Sequence, residues 1–212
     1  MTGLSLAVAS SYGQLTLDFS ATTGGNIQFN GSSKTFQFNG TNQWHITDEH
    51  GGSSSVGLFG SITAAGPFSY GAISSSGSGI TLVQDAPVLG PSGHLVINDG
   101  VGHLLTGTVT WGDVATFATS GGALNTQTSV NLTGVSYTGA NPDLQFLAAE
   151  APGTLTLSFQ FAGTGQTLTS LSTGTGPYLT SFSGSILVVP EPSSLAWLTL
   201  GGLSLLRLRR RK

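Results

Sequence analysis

No cysteine occurs in the 212 residues, so the chain has neither a disulfide nor a thiol nucleophile. Basic residues are nearly as scarce. Lysine and arginine number 6 in all, and every one except Lys34 falls within the last six positions. Between residues 10 and 189, Lys34 stands alone against Asp18, Asp48, Glu49, Asp85, Asp99, Asp113, Asp143 and Glu150, a net of −7. Neutralising a phosphate backbone takes many cations, so nucleic acid is excluded as a partner. Charged residues of either sign are 7% of the chain, against about 25% in ordinary domains. The surface must instead be made of Ser, Thr, Asn, Gln and Gly, as on many secreted β proteins. Catalytic signatures are missing too. There is no Gly-x-Ser-x-Gly elbow, no His-Glu-x-x-His and no Gly-rich phosphate loop ending in Lys-Ser/Thr. The acids are scattered, and no pair stands out for glycoside hydrolysis. The chain reads as a non-enzyme.

What is present is alternation. Leu15, Leu17 and Phe19 recur at a spacing of two, as do Ile27 and Phe29, Phe36 and Phe38, and Trp44 and Ile46. Leu105, Val109 and Trp111 follow, then Val130 and Leu132, Val135 and Tyr137, and Leu155 through Phe161. This is the pattern of half-buried strands. Turn signals such as Gly24-Gly25, Asn30-Gly31, Asn39-Gly40 and Asp99-Gly100 separate the runs, and Asn30-Gly31 predicts a hairpin. About twelve short strands over residues 10–187 predict one all-β domain, a β-sandwich or jelly-roll-like fold. Asn141-Pro142-Asp143 predicts one short helix ending near Ala149 or Glu150. Residues 71–79 and 162–175 are the expected mobile loops.

The densest polar cluster is His45-Ile46-Thr47-Asp48-Glu49-His50, read as a solvated loop leaving the strand of Trp44 and Ile46. No metal site is assigned to it, because sequence shows no second shell. Calcium through Asp48 with Glu49, or Asp85 with Asp99, is the cofactor to test, although no Asp-x-Asp-x-Asp pattern occurs. Trp44 and Trp111 are the candidate ligand contacts, as stacking faces for sugars. Both also continue apolar strand faces, which favours core packing. The Thr-x-Thr pairs, such as Thr154/Thr156, recur too irregularly for an ice-binding array and suit ordinary outward strand faces.

The C-terminal segment carries three features in fixed order. Pro190-Glu191-Pro192 comes first, then an apolar segment, then Arg207, Arg209, Arg210, Arg211 and Lys212. Lys and Arg are held on the cytoplasmic side while apolar residues enter the bilayer, so this order predicts membrane handling. As a helix, residues 195–206 span roughly 18 Å, short of the ~30 Å hydrocarbon core, and Gly201 and Gly202 weaken them further. A short span suits transient insertion better than permanent anchoring.

This arrangement resembles the PEP-CTERM sorting signal over residues 188–212, with the motif at 190–192, a membrane helix at 193–206 and the basic stop at 207–212. The resemblance implies export in a Gram-negative bacterium that makes extracellular polysaccharide. It also implies recognition of Pro190, Glu191 and Pro192 by an exosortase-type processing enzyme, and release at the cell surface. Residues 55–60 and 107–111 look similar to the bodies of uncharacterised PEP-CTERM proteins. At the other end, residues 1–9 close on Ala7-Val8-Ala9, an Ala-x-Ala cleavage pattern without a basic start, and are expected to be the remnant of a longer signal peptide. The expected role is structural or adhesive, in the extracellular matrix. The alternative is a carbohydrate-binding module for exopolysaccharide.

Overall fold

Alternation becomes strand after strand in the computed structural model, which describes residues 14–118, 124–150, 153–161 and 166–188, with side chains outside 118, 124–129 and 153–161. The first strands are β1 (Leu15–Ala21), β2 (Asn26–Asn30), β3 (Thr35–Asn39), β4 (Trp44–His50), β5 (Phe59–Ala64), β6 (Phe68–Tyr70) and β7 (Ser74–Ser76). Next come β8 (Val83–Gly90), β9 (Gly93–Asn98), β10 (Leu104–Trp111), β11 (Asp113–Ala118) and β12 (Leu124–Ser136). Helix α1 (Pro142–Ala149), β13 (Gly153–Phe161), helix α2 (Leu168–Thr173), β14 (Pro177–Thr180) and β15 (Phe182–Val188) complete the order. The domain is all-β, as expected.

Its strands form two curled antiparallel sheets. In one, β1 pairs with β4, β4 with β5, β5 with β9, β9 with β10 and β10 with β12. From there β12 pairs with β13, β13 with β15 and β15 with β1, which closes a ring. The other sheet runs β14-β2-β3-β6-β8 and joins the first through β11. Nearly every strand of the second sheet continues a ring strand through a bend. β1 runs on into β2, β3 into β4, β5 into β6, β8 into β9, β10 into β11, and β14 into β15. Each bent strand therefore pairs with those before and after it in sequence, and the last pairs with the first. This meander differs from the expected jelly-roll-like connectivity, whose Greek-key crossovers place non-sequential strands side by side.

The ring holds a packed interior. Leu17, Phe19, Phe29, Phe36, Trp44, Ile46, Leu95, Ile97 and Val109 are all buried. Burying each such side chain contributes about 1.5–3 kcal/mol. The aromatic rings interlock: Phe36 lies 5.2 Å from Phe68 and 5.2 Å from Trp111, and Phe19 lies 4.5 Å from Trp44. Outward positions carry amides and hydroxyls. On β2 and β3, Asn39 donates to Asn26 and Gln28, while Gln37 donates to Asn39. Apolar inside and polar outside is the inverse of the pattern on a membrane-spanning barrel.

Helices stopper both ends. At one, α1 begins where the sequence predicts, with the Asn141 side chain accepting from the Asp143 and Leu144 N–H groups, and it buries Leu144 and Leu147. At the other sits α2, within residues 162–175. It is held by two inward-facing polar residues: Gln84 exchanges hydrogen bonds with Thr169, and Thr116 accepts the Leu168 N–H. Leu168 and Leu171 are fully buried beneath it. The 71–79 stretch likewise contains a strand, β7, paired with β8.

Candidate functional site

Pro190, Glu191 and Pro192, the 193–206 segment and the run from Arg207 to Lys212 lie outside the described residues, as do residues 1–9. Among the described residues, no helix is long and apolar enough to cross a membrane. The candidates in the body can be placed. Trp44 and Trp111 are 0% and 7% exposed, inside the ring, and offer no open face for stacking. Their indole Nε1 atoms are the buried side-chain polar atoms that lack a partner among the described residues.

The His45–His50 stretch is strand β4, not the expected solvated loop, because β1 pairs along its length. Up to Ile46 the alternation is simple, with Trp44 and Ile46 inward and His45 outward. A β-bulge then follows. Phe19 stands opposite Ile46 but Asp18 stands opposite Asp48, so Thr47 is an extra residue. The insertion resets the parity of what comes after. Asp48 and His50 turn outward instead of into the core, and Glu49 turns back, accepting the Ser55 N–H at 2.7 Å. His50 Nε2 then lies 3.7 Å from an Asp18 carboxylate oxygen and 3.8 Å from one of Asp48. These three groups converge on the outer wall. The sequence pattern missed Asp18. Its outward position was legible from Leu17 and Phe19, but its pairing with β4 was not.

Two buried carboxylates belong to the α1 end of the ring. Asp99 accepts from the Val101 and His103 N–H groups, from the Tyr137 hydroxyl at 2.9 Å, and faces His103 Nδ1 at 3.2 Å. Burial pushes its pKa up, but those donors outweigh burial and hold it at about 2. The same burial raises the pKa of Tyr137, which also donates to the Asp99 carboxylate. Asp143 receives the Ser53 and Ser54 N–H groups and the hydroxyls of Ser54 and Ser55. Burial again raises its pKa and the serine donors override it, leaving a net lowering. Both carboxylates fasten loops, and their oxygens are occupied. Asp85, by contrast, is engaged by Ser74 beside β7. It lies at the far end of the bent strand β8–β9 from Asp99, so the two do not form a calcium pair.

An open aromatic face does occur elsewhere on the wall. The Phe59 ring is 44% exposed beside a cleft of about 320 Å³ lined by Asn42, Gly57, Leu58, Asn98 and Gly100. The His45 ring lies 6.2 Å from it. No family model, curated protein or solved structure matches this chain.

Proposed function

We propose that the chain is an exported β domain carried by a C-terminal PEP-CTERM-type sorting segment, with a non-enzymatic structural or adhesive role at the cell surface or in the extracellular matrix. The observation that carries this reading is the order Pro190-Glu191-Pro192, apolar segment, then Arg207, Arg209, Arg210, Arg211 and Lys212. Transient membrane insertion and cleavage by an exosortase-type enzyme follow from it. A ring of strands closed on itself and stoppered at both ends is suited to display, because among the described residues the ring leaves no long unpaired edge for aggregation. A wall of amides and hydroxyls keeps it hydrated with little charge. Intact-mass spectrometry of protein extracted from the host surface tests the reading. Mature chains ending near Pro190 are expected, and mature chains with residues 190–212 intact in the cytoplasm would overturn it.

Carbohydrate binding is the second reading, and the cleft beside Phe59 favours it. An exposed ring flanked by the Asn42 and Asn98 amides offers a stacking platform with hydrogen-bonding edges, the combination sugar sites use. Retention on purified polysaccharide, lost in Phe59→Ala with the fold intact, is the expected result. No retention of the wild type on any polysaccharide would leave the structural role alone.

A further inference from the structure

We propose that Asp18, Asp48 and His50 form a surface site for a divalent first-row transition ion of the zinc class. The site is independent of the sorting tail. It exists because the Thr47 bulge turns Asp48 and His50 onto the face where Asp18 stands directly opposite Asp48. One potential ligand atom from each residue falls within 4.8 Å of the others. Ligands about 2.1 Å from a shared zinc are roughly 3.4 Å apart in a tetrahedral site. The 3.7 and 3.8 Å separations from His50 need to close by only a few tenths of an ångström, and the two carboxylates, within 4.8 Å of each other, complete the approach by side-chain rotation. The His50 side chain is 67% exposed and those of Asp18 and Asp48 are 40% and 65% exposed, so this adjustment disturbs no packing.

The chemistry selects the ion. Two carboxylates with one imidazole suit zinc or its neighbours in the transition series, whereas calcium takes six to eight oxygen ligands and has no use for the nitrogen. Charge points the same way. Like charges directly opposite each other across two strands repel, and no lysine or arginine among the described residues lies beside them. Among the described residues the sole lysine or arginine is Lys34, in the turn between β2 and β3. Three protein ligands on an open wall leave the fourth position to water or an outside donor. Thr16, opposite His50, and Ser185, opposite Asp18, place hydroxyls at neighbouring register positions.

Isothermal titration of the full chain with zinc chloride at pH 7, with magnesium chloride as the control ion, tests the site. The expected result is one saturable zinc site per chain and no response to magnesium. His50→Ala and Asp18→Asn should each weaken zinc binding at least about tenfold, whereas His94→Ala should leave it unchanged. His94 is exposed on β9 and controls for adventitious imidazole binding. Circular dichroism checks that each variant is folded, as the outward, exposed positions of Asp18 and His50 predict. No saturable zinc binding by the wild type below about 1 mM would overturn the proposal. So would a His50→Ala variant that binds as the wild type does.

Discussion

Two tryptophans set inside the ring show what this interior tolerates. Trp44 and Trp111 bring large ring area but bury an N–H that finds no acceptor among the described residues. An unsatisfied buried donor costs about 1–3 kcal/mol, which offsets part of what the indole gains by packing. Replacing Trp111 by Phe should therefore change stability by less than about 1.5 kcal/mol, while Trp111→Ala should cost about 3–5 kcal/mol through the cavity it leaves among Phe36, Phe38 and Phe68. Urea unfolding of both variants gives the comparison, and a Trp111→Phe loss well above about 1.5 kcal/mol would mean that the orphaned N–H is energetically silent. Asp99 supplies the pH dependence. Its folded pKa of about 2 lies below the ordinary carboxylate value, so its contribution is complete above about pH 4 and is lost as pH falls towards 2. Asp99→Asn should lower the melting temperature at pH 6, and its gap from the wild type should narrow between pH 4 and pH 2. A gap that stays constant across that range would refute the assignment.

Strand β4 shows how far an element could be read from residues alone. Alternation names Trp44 and Ile46 as core, and the structure agrees. Beyond Ile46 the same rule would send Asp48 and His50 inward, and a loop is the natural way out of that contradiction. The ladder resolves it differently, with one extra residue opposite β1. A bulge depends on the partner strand, which periodicity does not reveal. The meander was hidden for the same reason, since short strands and turns look alike in a sandwich and in a ring. Helix α1 was legible because Asn141-Pro142 is a local capping signal, complete within a few residues. Helix α2 carries a weaker one, Thr167 with Ser170, in a run of Thr and Ser that are poor helix formers; its real support is Gln84 and Thr116, far away in sequence. Deleting Thr47 tests the bulge. Without the extra residue, Asp48 follows Ile46 directly and still stands opposite Asp18, so the deletion should regularise the ladder, keep Asp48 and His50 outward and retain a cooperative thermal transition. A deletion variant that no longer folds cooperatively would mean the parity argument is wrong. Gly60 tests the packing across the next pair of strands. A Cβ there would sit 2.2 Å from the Trp44 ring, so Gly60→Ala should destabilise by about 1–3 kcal/mol or more.

Closure of the ring ties the molecule's two ends to its proposed handling. β15 is the last strand among the described residues, and it pairs with β1 as far as Val188 and with β13 as far as Leu187. Pro190 lies two positions beyond the final ladder residue. A cut at or after the Pro-Glu-Pro motif therefore spares every described backbone pair, whereas a cut a few residues earlier would remove a strand from the middle of a closed sheet. That spacing fits a tail removed from a finished domain. Chains ended after Pro192 should melt within about 2 °C of the full chain, a difference of less than roughly 1 kcal/mol for a domain of this size. Chains ended after Ser181 lose β15 altogether, expose the edges of β1 and β13, and should not fold cooperatively. The order of residues in the tail carries the proposed behaviour in cells. Neutralising Arg207, Arg209, Arg210, Arg211 and Lys212 together would remove the proposed stop. A central charge costs about 2.5–3.5 kcal/mol on insertion scales, whereas each Leu returns only ~0.5, so a span this short depends on its basic end. The neutral variant should reach the medium folded with its tail uncut, while Glu191→Ala should remain membrane-bound and unprocessed. If both variants are cleaved and sorted as the wild type is, residues 190–212 are not a sorting signal, even though the domain before them folds as described.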